Sequence, residues 1–316
     1  MPMPGGGRSI VRLVVFGAGA VGSIFGAHLA RAGHDVLLIG RRPQVMAVER
    51  DGLRIEGLTN MTVRPRVAES LRPGERATMV LLTVKSYDTQ EAARAIARAM
   101  SPRPILSLQN GLGNLEDLER GLGEGGWASP RLNIALGVLS WGVTFVNYGH
   151  VRHAGAGSLV LGDLAGGRAA KRFASLFEGV GIPTQYTDDI LRAVWKKVII
   201  NSAINPVTAD HRVLNGELLT DPLRGQAVAL MREALEVAAA EGYRFAEHEV
   251  EEELFRVLRL TAENRSSMLQ DLLRSKKLEL DALNGRILEL GAKHGMRLPY
   301  TERIVKRLRA RTASNS

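Results

Sequence analysis

A lysine and two asparagines share one face of a predicted helix in the second half of the chain. Lys197, Asn201 and Asn205 are spaced four residues apart, which places their side chains along one helical stripe. The rest of this segment is apolar, and a lysine or an amide is costly to bury without a partner. The stripe is therefore either an interhelical hydrogen-bond network or a site for a polar ligand. An ammonium group in such a place can stabilise negative charge on an oxygen atom and donate a proton to it.

A second polar stripe is predicted further along the chain. Asn264, Ser267 and Asp271 follow the i, i+3, i+7 spacing of one helical face. Ser267 could equally be a surface serine or one that bonds back to its own helix, and Asp271 could cap or orient a neighbouring group. Glu279 lies three helical turns beyond Ser267 in a segment predicted as helical over 263–291. By spacing alone, Glu279 cannot be distinguished from an exposed helix charge.

A glycine-rich motif occurs near the N-terminus, directly after an apolar segment. The motif consists of Gly17, Ala18, Gly19, Ala20, Val21 and Gly22. Its three glycines match G-x-G-x-x-G, in which they permit a tight turn, close approach of the backbone to a pyrophosphate, and close packing of helix on strand. A predicted strand precedes the motif and a helical pattern follows it, which is the context that gives the motif its meaning. The sequence therefore predicts a dinucleotide-binding loop.

The end of the next predicted strand distinguishes between two dinucleotides. An acidic residue there would bind the ribose 2′-hydroxyl of NAD, but the chain has Arg41 and Arg42 after Gly40. Guanidinium groups can clamp a 2′-phosphate, which favours NADPH as the cofactor. We place this role on Arg41. The sequence leaves open whether Arg41 or Arg42 carries it, and whether either is a solvated loop charge.

Strands and helices alternate in the first half of the chain, and helices alone follow. Strands are predicted at 10–16, 34–40, 78–84, 104–108, 132–139 and 158–162, with a helix at 88–100. Beyond residue 187 the segments 188–204, 221–242, 247–259, 263–291 and 300–311 are predicted to be helical. The pattern favours an α/β fold, in which a Rossmann-type doubly wound sheet is followed by an all-α domain. We expect a disordered lead-in over 1–9, the dinucleotide domain over 10–186 and a helical substrate and catalytic domain over 187–316.

Composition excludes several classes of function. The chain of 316 residues has no cysteine, which rules out disulfides, thiol catalysis and cysteine-ligated metals. No H-x-x-x-H pattern or acidic cluster indicates a metal site either. No apolar stretch reaches the roughly 20 residues of a membrane span, and the N-terminus lacks the apolar segment of a secretory signal. We therefore predict a cytoplasmic protein without a membrane partner.

The net charge of +9 indicates an anionic partner. Nucleic acid, an anionic membrane or a small anion would each suit such a charge. The basic residues are scattered, and their densest cluster, at 303–311, is predicted to be the solvated face of a final helix. We therefore predict a small anionic molecule and no nucleic acid. The helical domain could also present a homodimer face, although no pattern compels one.

Seven motifs in order resemble those of the ketopantoate reductase (2-dehydropantoate 2-reductase) family, within the 6-phosphogluconate-dehydrogenase-like superfamily. Besides the glycine motif they are TVKSYDT at 83–89, SLQNGLGN at 107–114, HAGAGSLVLG at 153–162, WKKVIINSAINPVTA at 195–209, ENRSSMLQDL at 263–272 and ELDALNG at 279–285. The likeness extends from about Val11 to Arg309. It implies NADPH-dependent reduction of 2-dehydropantoate to (R)-pantoate, on the route to pantothenate and coenzyme A, in a cleft between the two domains.

The resemblance also implies roles for individual residues. Lys197, rather than its neighbour Lys196, would protonate the new alkoxide, and Glu279 would hydrogen-bond to the substrate and to this lysine. Substrate oxygens would be bound by Asn201, Asn205, Asn264, Ser267, Asn110 and Lys85. Lys85 and Asn110 fall at the ends of predicted strands and would also contact the cofactor. Alternatives are a reductase of another branched 2-keto acid or of an imine, and an NADPH-binding module without turnover.

Overall fold

Short segments rich in valine, isoleucine and leucine form most of the strands. The structure is a computed structural model that describes residues 9–164 and 166–313. Its strands are β1 (Arg12–Phe16), β2 (Asp35–Ile39), β3 (Leu53–Gly57), β4 (Met61–Val63), β5 (Arg66–Ala68), β6 (Met79–Leu82), β7 (Ile105–Ser107), β8 (Ile134–Leu139), β9 (Gly142–Asn147), β10 (His150–Gly155), β11 (Leu159–Asp163) and β12 (Gln185–Tyr186). Every residue of β6 and β7 is buried, as expected of parallel strands that are covered on both faces.

Helices separate these strands and continue after the last of them. They are α1 (Ala20–Arg31), α2 (Arg42–Asp51), α3 (Thr89–Ala99), α4 (Asn114–Glu124), α5 (Ala169–Gly179), α6 (Ile190–His211), α7 (Leu223–Ala240), α8 (Glu247–Leu260), α9 (Ser267–Leu273), α10 (Arg286–Lys293) and α11 (Pro299–Ala313). The predicted α/β class, with a helical C-terminal half, is confirmed. In the part of the chain that the structure describes, no helix is long and apolar enough to cross a membrane.

The main sheet has the strand order β12-β11-β8-β7-β6-β1-β2-β5. Its neighbours pair in parallel except for β11, which runs antiparallel to β8. This exception has a topological cause, because a parallel strand needs a crossover connection, usually a helix. The chain leaves β8 and returns to β11 through two further strands, β9 and β10, without an intervening helix. The predicted doubly wound sheet is therefore parallel except at the pair of β8 and β11.

A second sheet, in the order β4-β3-β10-β9, was not predicted from the sequence. It packs against α1, where Trp141 stacks on His153 with 4.8 Å between ring centroids and lies 5.5 Å from the ring of Phe25. Its strands are half-exposed and mix charged with apolar residues, so they lack the continuous apolar run of a buried strand. The second sheet therefore covers a face of α1.

The chain divides into two compact units, each with its own apolar core. One unit comprises Met1–Gln109 and Leu115–Ile190, and the other comprises Asn110–Asn114 and Leu191–Ser316. The boundary predicted at 186/187 remains a prediction, and nothing in the sequence indicated that Asn110–Asn114 would group with the helices. The predicted lead-in over 1–9 lies outside the described residues except for Ser9.

The single helix predicted over 263–291 is wrong, because the chain is interrupted twice in this segment. α9 ends where Ser275 adopts a φ of +52° and the N–H of Lys276 donates to the carbonyl of Asp271 at 2.9 Å, which closes the helix. A π-helical turn, Asp281–Gly285, then precedes α10. Asn264 precedes α9 and Glu279 lies between the two helices, so neither shares a helical face with Ser267.

Candidate active site

The glycine motif forms a tight turn between β1 and α1. Gly17 has a φ of +119°, and a Cβ atom at this position would lie 2.6 Å from the backbone nitrogen of Val84. A Cβ atom at Gly22 would collide with the carbonyl oxygen of Gly17. The N–H groups of Gly17 and Ala18 donate to the carbonyl of Ile39, at 3.0 and 2.9 Å, which ties the turn to the end of β2. Only glycine therefore fits at the first and third positions.

Gly19 differs from the other two glycines because space is open above it. An added Cβ atom at Gly19 would meet no heavy atom of the described residues within 4 Å. Gly19 is the N-cap residue of α1, and no side chain of residues 9–164 or 166–313 caps the first N–H groups of this helix. The loop thus combines open space, free backbone donors and the positive end of a helix dipole, which together fit the pyrophosphate of a dinucleotide.

Two arginines follow the end of β2, as the sequence predicts. Arg41 is the N-cap residue of α2, and its Nη2 lies 3.5 Å from Oδ2 of Asp88 while the side chain remains 83% exposed. Arg42 is the first residue of α2 and is also exposed. Arg41 is thus held loosely beside the strand end, where its guanidinium group remains accessible to a phosphate.

Lys85 and Gln109 follow the ends of the adjacent strands β6 and β7. Lys85 is half-buried and precedes a short 3-10 turn, Ser86–Asp88. Gln109 was missed in the sequence analysis. Its Nε2 donates to the carbonyl of Val84 at 3.0 Å and to Oγ1 of Thr89 at 2.7 Å. Gln109 therefore cross-links the two strand ends and fixes the backbone next to Lys85.

Asn110 begins the segment that groups with the helical unit. The next residue, Gly111, has a φ of +92°, and its Cβ position would lie 2.5 Å from the carbonyl oxygen of Ala282. The N–H of Leu112 donates to that same oxygen at 2.8 Å. Asn114 donates from Nδ2 to the carbonyl of Asn110 at 2.8 Å. The backbone at Asn110 is therefore fixed against the π-helical turn Asp281–Gly285.

The predicted stripe on α6 exists, and we call Lys197, Asn201 and Asn205 the polar face of this helix. The opposite side of α6 is buried, and Trp195 packs there with its ring centroid 5.8 Å from that of Tyr243. Lys196 is exposed and lies near the carboxylate of Glu253, which its charge stabilises. Of the two neighbouring lysines, only Lys197 belongs to the polar face.

The ammonium group of Lys197 is surrounded by protein, although the residue as a whole retains some exposure. This burial lowers the pKa of Lys197 to about 8, and the nearby carboxylate of Glu279 opposes the shift. Glu279 itself is only 7% exposed. The structure therefore brings together two residues that lie far apart in the sequence and forms an acid–carboxylate pair. A lysine with this pKa can exist in both protonation states near neutral pH.

The two asparagines of the polar face have polar atoms to offer to a ligand. Asn205 is 6% exposed and Asn201 is half-buried. Within the described residues, neither side-chain amide makes a hydrogen bond to another protein group. The interhelical network considered from the sequence is therefore not formed by these two amides. No amide atom of either residue is among the fully buried side-chain atoms that lack a partner, so both amides remain open to solvent or to a ligand.

The start of α9 is fixed by Ser266, which the sequence analysis passed over. Ser266 is buried and caps α9 by accepting the N–H of Leu269 at 3.1 Å. Its hydroxyl group also lies 2.6 Å from Oγ1 of Thr208, on α6. Ser267, the predicted ligand, is the first residue of α9 and is exposed, while Asp271 is buried. The sequence signal for Ser266 was a serine directly before the apolar pattern of a helix, since serine is a favoured N-cap residue.

Asn264 lies in the turn before α9 and not on a helix. Its N–H donates to the carbonyl of Thr261 at 2.8 Å, and its carbonyl accepts the N–H of Asn215 at 3.0 Å. The backbone of Asn264 is thus fixed on both sides, while its side chain is partly exposed. Asn264 and Ser267 therefore reach their positions through a turn and a capped helix start.

Two histidines of the sheet unit, His28 and His153, belong to its packing. His28 and His153 flank the ring of Trp141, and burial lowers the pKa of both imidazoles, which favours their neutral forms. His153 also bonds through Nδ1 to the hydroxyl group of Thr59 at 3.0 Å. Among the described residues, no group of three or more histidine, aspartate or glutamate side chains is placed to hold a metal ion.

Comparison with known proteins matches the chain along nearly its whole length. The model of the family "Ketopantoate reductase PanE/ApbA" matches residues 13–166, and that of its C-terminal part matches residues 189–312. A protein of Archaeoglobus fulgidus named 2-dehydropantoate 2-reductase is 37% identical over 91% of this chain and 93% of its own length.

Two solved structures are similar in fold over the same range. A PanE/ApbA family ketopantoate reductase from Ralstonia eutropha JMP134 superposes with a TM-score of 0.86 and 32% identity, covering 96% of this chain and 99% of that one. A D-mandelate dehydrogenase with NADH and anilino(oxo)acetate superposes with a TM-score of 0.89 and 25% identity, covering the same shares. The sequence motifs, the two matching family models and the identity to a curated relative agree, and the chain belongs to the ketopantoate reductase family.

Proposed function

We propose that this protein is an NADPH-dependent reductase of a small 2-keto acid, with 2-dehydropantoate as substrate and (R)-pantoate as product. The observation that carries the proposal is the polar face of α6. There a lysine with a pKa of about 8 lies near a buried carboxylate, beside two amides whose side chains make no hydrogen bond to the residues that the structure describes. The net charge of +9 suits both ligands, because a 2-keto acid and NADPH are anions.

The proposed mechanism assigns the proton to Lys197. A nicotinamide cofactor, when bound, would supply the hydride that reduces the keto carbon. Negative charge then develops on the former carbonyl oxygen, and the ammonium group of Lys197 stabilises this charge and donates its proton to the oxygen. Glu279 opposes the loss of charge on Lys197 and so keeps the lysine protonated until the alkoxide forms. The products are the 2-hydroxy acid, oxidised nicotinamide and neutral Lys197, which regains its proton from solvent.

The remaining predicted residues are proposed to orient the keto acid. Amides and hydroxyls at Asn201, Asn205, Asn264 and Ser267 would hydrogen-bond its carboxylate and hydroxyl oxygens. Lys85 and Asn110 are proposed to contact both the keto acid and the nicotinamide. The glycine loop, with its open position at Gly19, is proposed to bind the pyrophosphate of NADPH.

Discrimination between NADPH and NADH is proposed to come from Arg41. Arg41→Ala is expected to raise the KM for NADPH by roughly 10–100-fold, because a charge-assisted hydrogen bond to phosphate is worth about 1.5–3 kcal/mol. The KM for NADH, which has no 2′-phosphate, should stay unchanged. Steady-state kinetics with each cofactor measure both values. Arg42→Ala is the matched control, and a larger effect there would move the role from Arg41 to Arg42.

A related activity is the second candidate. The similarity to a D-mandelate dehydrogenase solved with NADH and anilino(oxo)acetate favours other 2-keto acids with bulky substituents. The chemistry at Lys197 would be the same, and only the substrate pocket would differ. An NADPH-binding module without turnover is a further alternative that the same experiment addresses.

The experiment tests a panel of keto acids, and turnover is monitored as the loss of absorbance of the reduced nicotinamide. 2-Dehydropantoate, 2-ketoisovalerate, pyruvate and phenylglyoxylate would each be tested with NADPH and with NADH. We expect the highest kcat/KM for 2-dehydropantoate with NADPH. A preference for phenylglyoxylate would select the second candidate, and NADPH binding without turnover of any keto acid would contradict the reductase.

A further inference from the structure

A proline interrupts the hydrogen bonding of α6 directly beside its polar face. Pro206 follows Asn205 and lies inside the helix. It lacks the N–H that would donate to the carbonyl four residues earlier, which is that of Ser202. Ser202 is fully buried, so water cannot replace the missing donor. A buried backbone carbonyl needs a partner from elsewhere in the protein.

Asn284 supplies that partner. Its Nδ2 donates to the carbonyl oxygen of Ser202 at 3.0 Å, although the two residues lie 82 positions apart in the sequence. Asn284 is completely buried, and its Oδ1 makes no hydrogen bond with the described protein groups. The buried amide of Asn284 thus makes one hydrogen bond, and its acceptor is the carbonyl that Pro206 leaves without a helical donor.

The turn that carries Asn284 also meets the other segments of the candidate site. It is the π-helical turn Asp281–Gly285, and π-helical turns are rare and frequently lie at functional sites. The carbonyl of Ala282, in the same turn, accepts the N–H of Leu112, next to the segment that begins at Asn110. Glu279 lies two residues before the turn. One turn therefore contacts α6 and the Asn110 segment and continues directly from the residue that pairs with Lys197.

We propose that Asn284 is a positioning residue, whose side-chain amide replaces the helical N–H missing at Pro206 and thereby fixes the polar face of α6 relative to Glu279. This proposal rests on the proposed function for its effect on turnover. In the proposed mechanism, Asn284 touches neither the substrate nor the cofactor. It acts through the Ser202 carbonyl, which sets the position of α6, and through the turn, which sets the position of Glu279.

The test is a pair of substitutions that remove and then restore the donor. Asn284→Leu is expected to lower kcat for the best keto acid by roughly 10–100-fold, because small misplacements of catalytic groups have effects of this size. The KM for the nicotinamide cofactor should not change. Adding Pro206→Ala gives residue 206 an N–H that can donate to Ser202, so the double variant should regain most of the lost kcat.

Glu233→Ala is the matched control for a loss of stability alone. Glu233 is a buried residue of the same unit, and its carboxylate accepts the N–H groups of Tyr300 and Thr301 at the start of α11. This variant should lower the unfolding temperature and leave kcat unchanged when it is assayed well below that temperature. A matching loss of kcat in Glu233→Ala would mean that stability alone explains the effect of Asn284→Leu.

The outcomes separate this proposal from the proposed function. Wild-type kcat in Asn284→Leu, or a double variant no better than the single one, overturns the positioning role. If Asn284→Leu does not fold, the double variant decides the matter. A folded double variant supports the proposal that Asn284 replaces the missing N–H, and an unfolded double variant overturns this proposal. If the wild type reduces no keto acid, the proposed function fails. The unfolding temperatures of the variants then test whether Asn284 replaces the missing donor. If it does, Asn284→Leu should lower the unfolding temperature less in a protein that already carries Pro206→Ala than in the wild type.

Discussion

Replacement of Lys197 by alanine is expected to lower kcat for keto-acid reduction by roughly 10²–10⁴-fold, the usual contribution of a positioned general acid. The affinity for NADPH should not change, since the glycine loop and Arg41 lie in the other unit. Stopped-flow or steady-state turnover would measure the loss, and a fluorescence titration with NADPH would measure the affinity. Unchanged turnover would contradict the assignment of the proton to Lys197.

The same lysine predicts a pH profile. Only the protonated ammonium can donate, and the pKa of Lys197 is lowered to about 8. We therefore expect kcat/KM to be level below this pH and to fall by about tenfold for each pH unit above it. In Lys197→Ala this basic limb should disappear from the residual rate. Lys196→Ala is the matched control, because Lys196 is exposed and off the polar face, and it should keep both the rate and the limb.

The second large effect is expected at Gly19. Gly19→Val should weaken NADPH binding by roughly 100-fold or more, because its side chain would fill the space proposed for the pyrophosphate and displace charge-assisted hydrogen bonds worth about 1.5–3 kcal/mol each. The fold should be retained, since a Cβ atom at Gly19 meets no heavy atom within 4 Å and the backbone there has a φ of −77°. Calorimetric titration with NADPH, together with the unfolding temperature of the free protein, measures both quantities.

Gly123 offers the matched control for this substitution. Among the described residues, it also has no heavy atom within 4 Å of its Cβ position, but it lies at the C-terminal end of α4 and is not part of the glycine loop. Gly123→Val should leave NADPH affinity unchanged. Equal weakening in the two variants, or normal binding by Gly19→Val, would show that the pyrophosphate does not approach Gly19.

Sequence patterns predicted the glycine loop and the polar face of α6, because backbone conformation and helical spacing determine these parts of the structure. The glycine motif is reliable because the positive φ at Gly17 and the crowding at Gly22 leave no other residue type possible. The stripe of Lys197, Asn201 and Asn205 follows directly from helical spacing, which survives Pro206 because a distant side chain replaces the lost donor. Both features could therefore be located before any coordinates were available.

The pairing of Lys197 with Glu279 could not be derived from spacing. It depends on the interruption of the chain at Ser275, on the π-helical turn after Glu279 and on the hydrogen bond from Asn284 to Ser202. The first two are local interruptions of the helical pattern and the third is a long-range contact, and the segment 263–291 contains no proline that would indicate a break. Only the resemblance to known sequences singled out Glu279. The second sheet was missed for a different reason: its half-exposed strands lack an apolar run, and the alternation of apolar and charged residues in β3 extends over only five residues.

The grouping of Asn110–Asn114 with the helical unit bears on how this protein can be taken apart or recombined. The chain passes from one unit to the other three times, after Gln109, after Asn114 and after Ile190. A fragment that begins near residue 190 would lack Leu112, the donor to the carbonyl of Ala282, and Gly111, which packs on the same oxygen. Chimeras between relatives should therefore exchange residues 110–114 together with the C-terminal half. Three junctions, after residues 109, 114 and 190, rather than one, therefore bound the modules of this chain.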